Sequence, residues 1–318
     1  MSLSDLSLSI DKAFSGPSDP TLSWISPQAQ FDCFHPINGL VGGDAVWRNL
    51  FLPVRSALTG IRRKTDIAME GIWTSQKGES QIWVSMTGHL LGQHVGHLFG
   101  LPPSHRLTSI RFGEFYRLED SKIVEAKVLW DLPALFAQCG RPLFPASGGQ
   151  EWLTPGPILQ DGLVRTPECI SSSLESLELV EAMIRGLMAY DGQHLESMGM
   201  NRFWSDDMLW HGPWGIGSSS GLTGFQDVHQ RPFLHAFPDR KGGNHSARFA
   251  DGPYVCSAGW PSIRATHRGE YLGHKASGRP ITMRVMDWWR VSGGRLSENW
   301  VLIDLPDLFL QMGHDLLE

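Results

Sequence analysis

The chain has few of the features that would take it outside ordinary globular proteins. Its four cysteines, Cys33, Cys139, Cys169 and Cys256, form neither a CxxC pair nor a zinc-ligand spacing, which argues against a structural metal or disulfide framework and for a reducing compartment. Basic excess is missing too. With 27 Lys and Arg against 33 Asp and Glu the net charge is −6, opposite in sign to a dedicated binder of nucleic acid or anionic membrane. No apolar run approaches the ~20 residues of a membrane span. The opening MSLSDLSLSIDKAF lacks the basic start, continuous apolar core and small-residue cleavage site of an export signal, so a cytoplasmic protein is expected. Tyrosine is scarce at 4 residues, whereas tryptophan reaches 13. The 318 residues, 41% hydrophobic and 19% charged, suit two domains that each bury a core.

An internal repeat sets the organisation. VLWDLPALFAQCG at 128–140 recurs as VLIDLPDLFLQMG at 301–313, an offset of 173 with nine of thirteen positions identical. Upstream the same register lays Glu114 over Asp287 and Glu125 over Glu298. With a drifting offset, His89 falls opposite His267, and His35-Pro36 opposite His211-Gly212-Pro213. Domains of residues 1–142 and 170–318 follow, joined by a Pro- and Gly-rich connector over 143–169.

Each copy reads as helices followed by an antiparallel meander. Residues 4–14 form a short opening helix in the first copy; in the second, Ser172 and Glu175 stand as a capping box before Leu174, Leu177, Val180, Ile184 and Leu187 at helical spacing. Stripes from Trp47 to Leu58 and from Phe225 to Phe237 predict second helices, which Pro53 and Pro232 must kink or divide. Strands are expected at 65–74, 80–89, 105–118 and 122–131, and again at 244–250, 254–267, 279–291 and 295–304, with Asp120-Ser121 and Gly293-Gly294 as hairpin turns. The fold class is α+β.

WHGPWG at 210–215, Gly221, Phe225, AFPD at 236–239, Thr266-His267, GEYLGHKASGRPI at 269–281, the strand pair at 283–300 and the closing DLPDLFLQMG together resemble the SnoaL-like polyketide or ester cyclases of the nuclear-transport-factor-two-like superfamily. The resemblance covers about 175–314, and the first copy is similar in a degenerate form. It implies two tandem cone-shaped α+β barrel domains, each a curved antiparallel sheet around helices and an apolar pocket, and it implies aldol ring closure without metal or cofactor. Such chemistry needs a base for a proton beside a carbonyl and a donor for the enolate oxygen. In this alignment the family's catalytic aspartate falls at Val301, with Val128 in the first copy, and its histidines fall at Asp287 and Asn299.

The candidates therefore carry two readings each. Asp287 shares a strand face with Val285 and Trp289; inside the cone it is a desolvated general base, and outside it is a solvated acid or a partner of Arg284. His211 and His267 are proton relays or loop-bracing imidazoles. Asn299 orients a substrate carbonyl or sits at a sheet edge. Trp210, Trp214 and Trp289 stack on a flat substrate or fill the core. His274 guards the entrance or is solvated in its loop. Asp131 and Asp304 read as helix caps. The function expected is cofactor-free acid–base work on an apolar carbonyl compound, with an internal pseudo-dimer or a homodimer as the assembly and neither nucleic acid nor membrane as partner. The alternative is a non-catalytic small-molecule binder, because Val301 replaces the family's acid.

Overall fold

The computed structural model describes residues 2–16, 22–150, 154–163 and 172–318. Helix α1 (Leu3–Ser15) opens the first half. Ser2, rather than Ser172, makes a capping box: the Ser2 hydroxyl accepts from the Asp5 amide, and the Asp5 carboxylate accepts from the Ser2 amide, both at 3.1 Å. At the helix opening the second half, Ser172 makes no side-chain cap bond.

Strands β1 (Ile25–Cys33) and β2 (Gly39–Val41) precede a helical run that is interrupted in an instructive way. Helix α2 (Gly42–Val46) widens into a π turn over Trp47–Phe51, then tightens into α3 (Leu52–Ala57) with Pro53 in its first turn. The long strands β3 (Leu58–Thr74), β4 (Ser80–His94), β5 (Leu107–Glu119) and β6 (Lys122–Trp130) follow, then α4 (Leu132–Gln138). They form a sheet of order β2-β1-β6-β5-β4-β3, antiparallel except where β1 runs beside β6.

The second half repeats the plan: α5 (Ser173–Met188), β7 (Trp204–His211), β8 (Ser218–Ser220), α6 (Gly221–Phe225), a π turn over Gln226–Gln230, and α7 (Arg231–Ala236). Strands β9 (Lys241–Gly242), β10 (His245–Asp251), β11 (Tyr254–Thr266), β12 (Pro280–Ser292) and β13 (Arg295–Ile303) then lead to α8 (Leu305–Met312). The sheet order is β10-β11-β12-β13-β7-β8, with β9 on β11. The expected hairpin turns are present: Asp120 and Ser121 have φ of 47° and 59°, and Gly293 and Gly294 have 57° and 75°.

Pro53 and Pro232 do divide their helices, and the device is the π turn. Proline lacks an N–H and its ring crowds the carbonyl four residues back. Widening the preceding turn lets the chain continue as helix. The repeat register, by contrast, differs from the expectation at two histidines: the strand pairing matches His35 with Trp214 rather than with His211. The offset of 173 holds further upstream than the drifting alignment allows, so His267 is matched by His94 and not by His89. His267 Nδ1 lies 3.1 Å from the Ser277 hydroxyl, and His94 Nδ1 lies 3.1 Å from that of Ser104.

Each sheet curves around its own apolar core, and a third cluster joins the two sheets back to back. Trp288 on β12 and its repeat equivalent Phe115 on β5 meet there with ring centroids 5.5 Å apart. A side chain at Gly113 would put its Cβ 2.6 Å from the Trp288 ring, so this glycine permits the close approach. The buried indole N–H of Trp288 donates to the Ser85 hydroxyl at 2.9 Å across the junction. Ser85→Ala should cost about 1–3 kcal/mol in denaturant unfolding by orphaning that N–H. The pair Ser85→Ala with Trp288→Phe should recover part of the loss, and equal stabilities would argue against the bond.

The connector crosses this junction. Its Gly162 carbonyl accepts from Ala68 at 2.9 Å, and the Pro155 carbonyl accepts from the Trp300 indole at 2.9 Å. The carboxylate of Asp161 binds Arg290 at 2.9 Å. Among the described residues, no helix is long and apolar enough to cross a membrane, and Cys33, Cys139 and Cys256 form no disulfide with one another. Cys169 lies outside the described residues.

Candidate functional site

A cavity of about 220 Å³ opens inside the second cone, walled by Met183, Trp210, Phe225, Phe233, Trp289 and Val301 among other apolar side chains. Asp287 and Asn299 are two of its polar groups. Alternation along β12 holds as expected: Val285, Asp287 and Trp289 face the cavity, while Met286 and Trp288 face the other sheet. Arg284 is no partner of Asp287; it binds Asp304 and Asp307 instead. Desolvation pushes the Asp287 carboxyl up to about 7, against the opposing pull of the Asn299 amide and the Arg248 guanidinium.

The strand register places this acid tellingly. Asp287 lies directly opposite Val301 on β13, and on its other side opposite Ser257 of β11, which in turn pairs with Arg248 of β10. A row Arg248, Ser257, Asp287, Val301 thus runs across the sheet. The Ser257 hydroxyl lies 2.8 Å from His245 Nδ1 and accepts from the Arg248 Nε–H at 3.3 Å. The arginine contact leaves the serine O–H able to donate to His245 Nδ1, and in that tautomer the neutral imidazole carries its proton on Nε2. Desolvation, with Arg248 adding to it, holds the His245 ring down to about 4, so it stays neutral. His245 lines the cavity.

The π turn supplies two further groups. His229 stacks on Trp210 at 4.7 Å, its Nδ1 has no hydrogen-bond partner, and burial holds the ring down to about 4. Gln230 is buried with neither its amide nitrogen nor its oxygen paired. Both line the same cavity. Sequence reasoning did not single out His229, Gln230, His245, Ser257 or Arg248. Pro232 was the available sign of the π turn. His245 and Arg248 were hidden by a bulge: the register shifts between His245 and Ala247, so both reach Ser257 although simple alternation would put them on opposite faces.

The cavity therefore gathers Asp287, Asn299, Trp210 and Trp289 of the expected set and leaves out the rest. His211 alternates away from Trp210 on β7. Its ring stacks on Trp300 at 5.6 Å, both ring nitrogens are unpartnered, and desolvation next to Arg111 holds it down to about 3. His267 is fully buried beneath Phe237, fixed by Ser277. His274 packs its ring 4.8 Å from Phe309 and 4.5 Å from His314. Trp214 lines a different cavity, between the two halves. In the first cone the acid equivalent to Asp287 is spent on structure: Glu114 is buried with Arg63 at 2.5 Å. Asp131 and Asp304 cap α4 and α8, as expected. No three His, Cys, Asp or Glu side chains among the described residues converge as metal ligands would.

Two tandem domains, each a curved sheet wrapped around helices, define a duplicated α+β protein. The family model described as SnoaL-like polyketide cyclase matches residues 78–139 and 187–312, more than half of the chain, and the chain belongs to that family. No curated protein matches it. Among solved structures, AclR from Streptomyces galilaeus is 21% identical, covering 45% of this chain and 98% of its own, with a TM-score of 0.36. IdmH from Streptomyces antibioticus is 25% identical, covering 42% and 98%, with a TM-score of 0.34. An NTF2-like protein from Burkholderia xenovorans LB400 is 14% identical, covering 44% and 98%, with a TM-score of 0.35.

Proposed function

We propose that the second cone is an acid–base active site for an apolar carbonyl compound, working without a cofactor, with Asp287 as the base. The observation that carries this is the position of Asp287 at the wall of an apolar cavity, one strand across from Val301. The carboxylate absent at Val301 is thus replaced at the same level of the sheet. A carboxyl titrating near 7 is matched to removing a carbon-bound proton near neutral pH. His245, in the tautomer in which Ser257 donates to Nδ1 and Nε2 carries the proton, and the unpaired amide of Gln230 are the donors for the oxygen that becomes negative as the proton leaves. Asn299, whose amide donates to the Trp288 carbonyl at 3.0 Å, orients the base. The reaction class is enolisation, leading to ring closure, isomerisation or dehydration according to substrate.

The back-to-back sheets act, in this reading, as an internal pseudo-dimer, with the first cone as a structural half. A second reading, a binder without turnover, draws on Val301 itself, since the wall there cannot transfer a proton. The probe that separates them is 1-tetralone, a flat ketone whose α-hydrogens exchange with D₂O at a rate read by NMR. Catalysis predicts exchange that rises with pH through about 7 and then levels, and that slows about 10²-fold in His245→Phe. Exchange no faster than in buffer, with tetralone nonetheless bound, would establish the binder.

A further inference from the structure

The two halves touch through a reciprocal contact that is complete on one side and incomplete on the other. Asp304, capping α8, accepts from the His35 amide of the first half at 3.0 Å. Asp131, capping α4, accepts from the Trp214 amide of the second half at 2.9 Å. Beside each aspartate stands an arginine at the repeat offset of 173, Arg284 on β12 and Arg111 on β5. Arg284 donates to the Cys33 carbonyl at 3.3 Å, and Arg111 donates to the matching carbonyls of His211 and Gly212 at 3.2 and 3.1 Å.

The remaining partners differ. Arg284 also binds the Asn38 side-chain oxygen at 3.2 Å and, through Nη2, the Asp307 carboxylate at 3.3 Å. The position equivalent to Asp307 is Ala134, and the position equivalent to Asn38, across the matching hairpin, is Gly217. Neither can accept a side-chain hydrogen bond. The consequence is visible: Arg111 is 3% exposed and its Nη2 has no partner, and the nearby Ser109 hydroxyl is also buried without one. Arg111, Ser109, Ala134 and Gly217 all line a cavity of about 270 Å³ between the halves, whose wall also includes Asp131 and Trp214.

We propose that this interdomain cavity is a binding site for a small carboxylate, whose oxygens take the place that Asp307 fills at Arg284. The charges around it permit this. His89 is paired with Asp66 at 3.1 Å, and Asp66 also holds Lys64. Asp131 spends its oxygens on the amides of Ala134 and Trp214. At the equivalent place one guanidinium already serves two carboxylates, Asp304 and Asp307, so a ligand beside Asp131 reproduces an arrangement the fold holds elsewhere. Burial lowers the Arg111 guanidinium only to about 10, which leaves it a cation at neutral pH. Trp214 offers a flat wall for a short apolar tail. The assignment is independent of the chemistry in the second cone.

The test is calorimetric titration of the full chain with sodium acetate, against sodium chloride at equal ionic strength, together with the shift in Tm. Saturable heat and a rise in Tm specific to acetate are expected. Ala134→Asp supplies the missing carboxylate from within, so it should raise Tm without ligand and weaken acetate binding about 10- to 100-fold, the range of a charged hydrogen bond. Arg111→Gln should weaken it similarly, and if one variant fails to fold the other decides. Acetate indistinguishable from chloride, or undiminished binding in a folded Ala134→Asp protein, would overturn the site.

Discussion

Asp287→Asn should lower the enolisation proposed for the second cone by about 10²- to 10⁴-fold, the contribution of a positioned general base, and at the same time make the protein more stable above neutral pH. Both results come from one cause. Asparagine keeps the shape and hydrogen-bonding capacity of the side chain but removes the charge that the apolar wall disfavours. The pH dependence has a definite sign. The unfolded carboxyl titrates at 3.8 and the folded one at about 7. Below pH 4 both states are protonated and the charge costs nothing. Between 4 and 7 the unfolded chain has lost the proton that the folded protein still holds, so stability falls as pH rises. Above 7 the cost is constant, at about 4 kcal/mol from the separation of the two titrations. The Asn variant should therefore match the wild type in urea unfolding at pH 4 and exceed it at pH 8. A difference that is the same at both pH values would show that the Asp287 carboxyl is not desolvated, and the assigned base would go with it.

Trp288→Ala produces the largest loss of stability, about 3–5 kcal/mol. Its indole is fully buried, lies against Phe115 at 5.5 Å and donates across the junction to Ser85. Truncation leaves a void between two sheets whose curvature is fixed by their own cores, so the gap cannot collapse. The two halves should then unfold separately, and calorimetry should resolve two transitions where one is expected of the wild type. Trp289→Ala, one residue on, opens the cavity instead and should alter tetralone binding more than cooperativity. Equal effects of the two substitutions on both readouts would contradict the alternation of β12.

The closing repeat was legible because its positions serve the same purposes twice. Asp131 and Asp304 cap helices, Pro133 and Pro306 stand in the first turns, and the leucines between fill cores, so local chemistry preserves them. Asp287 was legible through period-two alternation, which needs only neighbours in sequence. The histidines of motif and loop misled for the complementary reason. His211 and His267 occupy memorable strings, yet one alternates out of the cone and the other is held by a serine ten residues away.

The sequence by itself determined that one α+β unit is written twice, where its hairpins turn, and which face of β12 carries an acid, because these rest on spacing and on backbone preference. Only the tertiary structure decided that His229, Gln230 and His245 share the cavity of Asp287, that Glu114 is neutralised by Arg63, and that Arg111 lacks the partner Arg284 has. Those facts depend on a bulge, a widened helical turn and contacts between separate strands and helices, such as that of Arg63 with Glu114 across 51 residues of chain. Alternation and helical period do not register them, since each breaks the period or joins segments that no local rule connects.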